Sequence, residues 1–171
     1  SAQANKTTPP TPTTEGVFAR SILVVGGGVS GLAAAKEAAK TGHDVILVER
    51  SDRLGGWARQ WSKRMPHLPP YRGPVANDIE HLIAEIEGNG RIKVMTNATV
   101  AKTEGQPGKF TVAVKQGASE TTLTVGAIVL ATGWRPYDPG KLGHLGYGAS
   151  PDVVTGVELE KMLKAGSVKR K

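Results

Sequence analysis

ILVVGGGVSGLAAAKEAAKTGHDVILVE runs from Ile22 to Glu49, and its reading decides the fold. The apolar run Ile22 to Val25 has the composition of a buried parallel strand. It leads straight into Gly26-Gly27-Gly28-Val29-Ser30-Gly31, which fits G-x-G-x-x-G. An alanine-rich helical stretch continues to about Lys40, and Gly42 stops it. Val45 to Val48 then supplies a second apolar run that ends on Glu49. Strand, glycine turn, helix, stop, strand and acid in this order make a βαβ unit of the dinucleotide-binding kind.

Each position has a physical task. Gly26 permits a tight turn that a side chain would oppose. Gly28 has no Cβ, so a pyrophosphate can approach the backbone. Val29 and Ser30 open the helix, where amides without intrahelical partners and the positive end of the dipole face the phosphates. Gly31, Ala35 and Ala38 keep the helix close to the strand. Glu49 follows Gly31 by 18 residues, at a strand tip where a carboxylate can accept both ribose hydroxyls. A carboxylate there repels the extra phosphate of NADP, an argument that Arg50 next door weakens slightly. The choice at this point is FAD or NAD.

The residues after Glu49 separate those two. Gly55 and Gly56 form a paired glycine close behind the acid, an arrangement that FAD-binding domains place near the pyrophosphate. A short helical stretch follows, with Trp57 and Trp61 four apart and expected on one face. Packing alone would account for both; the sharper alternative is that one covers the cofactor or a partner. MPHLPPYRGP, Met65 to Pro74, carries four prolines and reads as loop. Pro74 is expected to open a helix whose core stripe is Val75, Ile79, Leu82, Ile83 and Ile86. Arg91 to Thr96 reads as a third parallel strand.

Thr99–Thr103, Lys109–Lys115 and Thr121–Val125 read as an antiparallel meander laid over the sheet. Val100, at its start, is expected against the adenine. Ala127 to Gly133, AIVLATG, reads as a returning buried strand, and Ala131, Thr132 and Gly133 are small where its tip would run past the dinucleotide. Trp134 to Ser150 reads as loop. Thr155 and Glu158 form a capping box for a last helix with Leu159, Met162 and Leu163 on its apolar side. The fold class is therefore α/β, a Rossmann-like parallel sheet with an antiparallel β-meander.

Composition limits the chemistry. The chain has 171 residues and no cysteine, which removes thiolate catalysis, redox disulfides and cysteine-held clusters from it. No spacing points to a metal site, and no acid, base or nucleophile is placed for catalysis. His67 lacks a partner in sequence to orient it. The net charge is +7, from 22 basic and 15 acidic residues, with a basic stretch over 50–72. No nucleic-acid-binding motif accompanies that charge, and no apolar run approaches the roughly 20 residues of a membrane helix. A cytoplasmic setting is the default expectation. Residues 1–19 read as a flexible Thr/Pro arm, 20–165 as the dinucleotide-binding domain and 166–171 as a frayed end.

VVGGGVSG, VILVERSDRLGGWA, VGAIVLATGWRPYDP and LGYGASPDVVTGVELEKML together resemble the FAD-binding module in the flavoprotein subunits of the heterodisulfide reductase family. The related flavoprotein subunits of quinone-interacting membrane-bound oxidoreductases are similar too. The likeness extends from Ser21 to Leu163. It implies a flavin relay between iron–sulfur or other electron-transfer subunits or domains, with Gly26, Gly28, Gly31, Glu49, Gly55, Gly56 and Thr132-Gly133 against FAD. Such subunits carry cysteines where this chain has MPHLPPYRGP, so cluster ligation is not expected here. They are also longer, and the chain is expected to be one portion of such a protein. Two other readings stand beside the flavin module: a NAD(H)-binding domain of a dehydrogenase, and a non-catalytic docking module.

Overall fold

In the computed structural model, residues 18–66 and 68–168 are described. The arm expected over 1–19 lies outside them up to residue 17, as do His67 and the last three residues of the expected tail. The amide of Ala19 already donates to the carbonyl of Gly108, 2.9 Å away, so the chain has joined the fold by that residue.

The βαβ unit forms as its sequence dictates. β1 is Ile22–Val25, α1 is Val29–Lys40 and β2 is Val45–Val48. The helix ends on Thr41, and Gly42 follows with a φ of +89°, a value glycine reaches without strain. A 3-10 segment, Gly56–Gln60, follows β2, then two short strands, β3 (Lys63–Arg64) and β4 (Val75–Ala76), and a helix, α2 (Ile79–Glu87). β5 (Ile92–Met95) joins the sheet. β6 (Ala98–Gln106), β7 (Lys109–Gln116) and β8 (Ser119–Val125) make the meander, and β9 (Ala127–Leu130) returns. A second 3-10 segment, Pro139–Leu145, precedes the final helix, α3 (Gly156–Lys164).

Four parallel strands lie in the order β5-β2-β1-β9. The chain steps outward from β1 to β2 and β5, then returns on the other side of β1. That reversal opens a crevice beyond the carboxyl ends of the strands. The pairing register aligns Val25 with both Val48 and Leu130. Gly26, Glu49 and Ala131, the next residue of each strand, therefore emerge side by side at that crevice.

Alternation along the strands sends side chains to two cores. Val24 and Leu47 meet Leu32, Ala35, Ile83 and Ile86 from the helices. Leu23 and Val48 meet Val112, Val114 and Val125 of the meander on the opposite face. The layers are thus helices, parallel sheet and meander, as the sequence implied.

Four expectations change. The helix expected from Pro74 starts at Ile79, and Val75 pairs in β4 with Arg64. Asn77 is the reason. Its carboxamide donates to the carbonyls of Ala58 and Trp61, and its Oδ1 accepts from the amide of Ile79, so the helix can begin only after it. Asn77→Ala is expected to cost about 1–2 kcal/mol, read as a lowered urea midpoint. β9 is an edge strand, not a buried one, with Leu130 76% exposed. The stretch Trp134 to Ser150 is not all loop, because the Asp138 side chain accepts from the Gly140 amide and starts the second 3-10 segment. The capping box of α3 forms, yet Leu159 and Leu163 on its apolar side stay largely exposed.

Candidate functional site

A groove of about 670 Å³ lies at the carboxyl ends of β1, β2 and β9. Gly26, Gly28, Glu49 and Arg50 line it on one side, Gly56 and Trp57 on another, and Ala131, Thr132 and Gly133 on a third. Nine of the residues singled out from sequence thus meet in one place. Val29, Ser30, Gly31, Gly55 and Val100 are not part of its lining.

The glycines do different work. Gly26 has a φ of +111°, and a Cβ there would stand 2.3 Å from the Ala131 carbonyl oxygen. A Cβ on Gly31 would stand 1.8 Å from the Gly26 carbonyl oxygen, so its absence is what lets α1 pack on the turn. Gly28 is different: a Cβ there would meet nothing within 4 Å. It is the N-cap of α1, no side chain caps that end, and the amides of the first helical turn, Val29 and Ser30 among them, have no intrahelical acceptor. Open space in front of free amides and a positive dipole end fits a pyrophosphate. Gly55 has a φ of +102°, and its amide donates to the Gly27 carbonyl at 2.7 Å. That bond brings Gly56 over the glycine turn, where a Cβ would lie 3.2 Å from the Gly28 Cα.

Glu49 is buried. Its Oε2 accepts from the Gly27 amide at 2.6 Å, and its Oε1 accepts from the amide and hydroxyl of Ser51 at 2.8 and 2.6 Å. Burial alone would push the carboxyl up. The bonds from Ser51 and Gly27, with the nearby Arg50 charge, outweigh it and hold the group below the ordinary carboxylate range. Glu49 is therefore a fixed anion. The Ser51 hydroxyl also lies 2.9 Å from the Arg53 carbonyl. Its one proton can serve only one acceptor, so turning away would free a lone pair of Glu49 for a sugar hydroxyl.

Val100 packs against the core beneath the meander. Trp57 lies within the 3-10 segment Gly56–Gln60, and Trp61 caps its end. Trp57 stacks on Trp134, with ring centroids 5.4 Å apart and planes 19° from parallel, and its Nε1 donates to the Trp134 carbonyl. Several groove residues escaped the sequence reading. Ser51 orients the acid, and its place two residues after Glu49 was the available signal. Arg59 comes from the same 3-10 segment as Gly56 and Trp57, whereas Glu80 and Lys164 come from helices distant in sequence, and nothing local marks them. Among the described residues no group of three or more His, Asp or Glu side chains could hold a metal. None of the described helices is long and apolar enough to cross a membrane.

The sequence profile of the pyridine nucleotide-disulphide oxidoreductase family matches residues 5–69 and 20–165. The chain belongs to that family. Its members are flavin-dependent oxidoreductases, and FAD is their cofactor. Among curated relatives, a CoB–CoM heterodisulfide reductase iron-sulfur subunit of Methanopyrus kandleri is 35% identical over 99 residues, 55% of this chain and 14% of the relative. A second iron-sulfur subunit of the same name and organism is 22% identical over 230 aligned residues, 89% of this chain and 34% of the relative. The chain therefore spans about a third or less of the length of these relatives. Solved structures with the same fold include p-nitrophenol 4-monooxygenase from Pseudomonas putida, at a TM-score of 0.53 and 17% identity over 73% of this chain and 44% of that one. L-Proline dehydrogenase from P. horikoshii aligns at a TM-score of 0.53 and 22% identity, over 70% of this chain and 24% of that one.

Proposed function

We propose that this chain is the FAD-binding redox module of a heterodisulfide-reductase-like flavoprotein, and that it relays electrons through a flavin held in the crevice of the parallel sheet. The observation that carries this reading is the meeting of Gly28, Glu49, Gly56 and Thr132-Gly133 around one groove. When bound, FAD supplies the electron chemistry. The chain's own residues bind and orient. Amides at the start of α1 receive the pyrophosphate, Glu49 accepts from the adenosine ribose, and Gly56 and Gly133 keep the walls free of side chains.

Names of the relatives support iron–sulfur or other electron-transfer subunits or domains as partners. No residue is assigned a proton-transfer or nucleophilic role. The test is the visible spectrum of the purified chain with and without added FAD. A flavin spectrum that survives gel filtration, with FAD and not FMN released on denaturation, is the expected result. A colourless protein that takes up NADH instead would refute the flavin assignment and favour a dehydrogenase.

A further inference from the structure

A second groove, of about 610 Å³, adjoins the first. Trp57, Gln60 and Trp134 line both, so the stacked indole pair stands at their junction. Beyond it the walls turn aromatic and apolar, with Trp61, Tyr137 and Tyr147 among them. The first groove is the opposite in character, polar and charged around Glu49 and Arg50. A dinucleotide has the same division: a sugar-phosphate half that needs amides and a carboxylate, and a flat ring that needs an aromatic surface.

Three features make the junction suited to a ring. Trp134 is 54% exposed while pinned by the Trp57 stack, so a large flat face is held open to solvent in a fixed orientation. Trp57 is further fixed by its Nε1 bond to the Trp134 backbone, which couples the two indoles as one platform. The side chain of Gln60, between the grooves, makes no hydrogen bond among the described residues. Its carboxamide carries both a donor and an acceptor, the complement that the heteroatom edge of a flavin pyrimidine requires.

We infer that the Trp57–Trp134 platform is the ring-binding half of the dinucleotide site, with Gln60 at the polar edge of the ring, and that it selects flavin over nicotinamide. The inference rests on the FAD reading above and adds the residues that recognise the ring. The selection follows from area and electron demand. Isoalloxazine is a three-ring, electron-poor plane and covers the electron-rich indole far more fully than the single ring of nicotinamide does.

Fluorescence titration tests it, with ADP-ribose as the probe that has the sugar-phosphate half but no flavin. Free FAD is partly self-quenched by its own adenine, so stretching it along a groove raises its emission unless the ring lands on a quencher. Bound FAD is expected to emit less than free FAD. Trp134→Leu is expected to leave ADP-ribose affinity within twofold, weaken FAD about tenfold or more and restore the emission; Trp134→Phe is expected to recover most of the affinity. Because Trp134 is more than half exposed, these changes leave the core intact. Bound FAD brighter than free FAD, or an unchanged FAD affinity in Trp134→Leu, overturns the platform while leaving the FAD reading in place. ADP-ribose binding without FAD binding overturns both.

Discussion

Gly31→Ala is expected to destabilise the protein, although the same change inside most helices is favourable. Alanine in a helix interior gains about 1 kcal/mol over glycine. Here the new Cβ would stand 1.8 Å from the Gly26 carbonyl oxygen, a backbone atom in a turn already held by β2 and β9. The amide of Gly26 donates to Val48 and that of neighbouring Ala131 to Val25, so the turn that carries this oxygen is tied to the sheet and resists swinging away. Overpacking of this kind costs about 3 kcal/mol or more when it is unrelieved, and the steric effect wins by about 2 kcal/mol. A chemical denaturation midpoint reports it directly. Gly28→Val is the contrasting case. Its Cβ meets nothing within 4 Å, so stability is expected to fall by no more than the N-cap preference for glycine, about 1 kcal/mol, while FAD binding weakens by about tenfold or more. If both variants lost stability equally, the division of labour between the two glycines would be wrong.

Glu49→Ala is expected to lose on two fronts. In the free protein it leaves the buried Gly27 amide without an acceptor, at about 1–3 kcal/mol. In the complex it also removes a charge-assisted ribose contact of about 1.5–3 kcal/mol. Glu49→Gln is not a rescue. Both carboxylate oxygens face donors, and Ser51 and Gly27 each present an amide, so the carboxamide nitrogen must be aimed at one of them. The acid side of the stability profile should carry the same signature. The folded pKa of Glu49 lies below its unfolded value, so its contribution is complete above about pH 4.3. It is lost as pH falls through the lower folded value. Denaturation midpoints between pH 7 and pH 3 are expected to fall less steeply in Glu49→Gln than in the parent.

What could be read from sequence was what adjacent residues encode. The βαβ unit, the acid at its end and the capping box of α3 are patterns written within 30 residues, and each has a single physical solution. Trp57 showed only that an aromatic followed the paired glycine. Its partner is 77 positions further on, brought alongside by the return of β9, and no local period announces such a meeting. Pro74 misled for the same reason. A proline at a helix start is locally sound, but Asn77 is already bonded to the carbonyls of Ala58 and Trp61, and these bonds decide where the helix begins. Glu80 and Lys164 reached the groove by tertiary packing alone.

The margin of the sheet at Ala127–Leu130 has a practical meaning. It is four residues long, and among the described residues it pairs on one side only, with β1. A row of unmet backbone groups beside a bare leucine is a template for the strands of neighbouring molecules. The isolated polypeptide will therefore stay monodisperse longest when kept dilute. A charged residue in place of Leu130 should raise its solubility ceiling without disturbing the crevice.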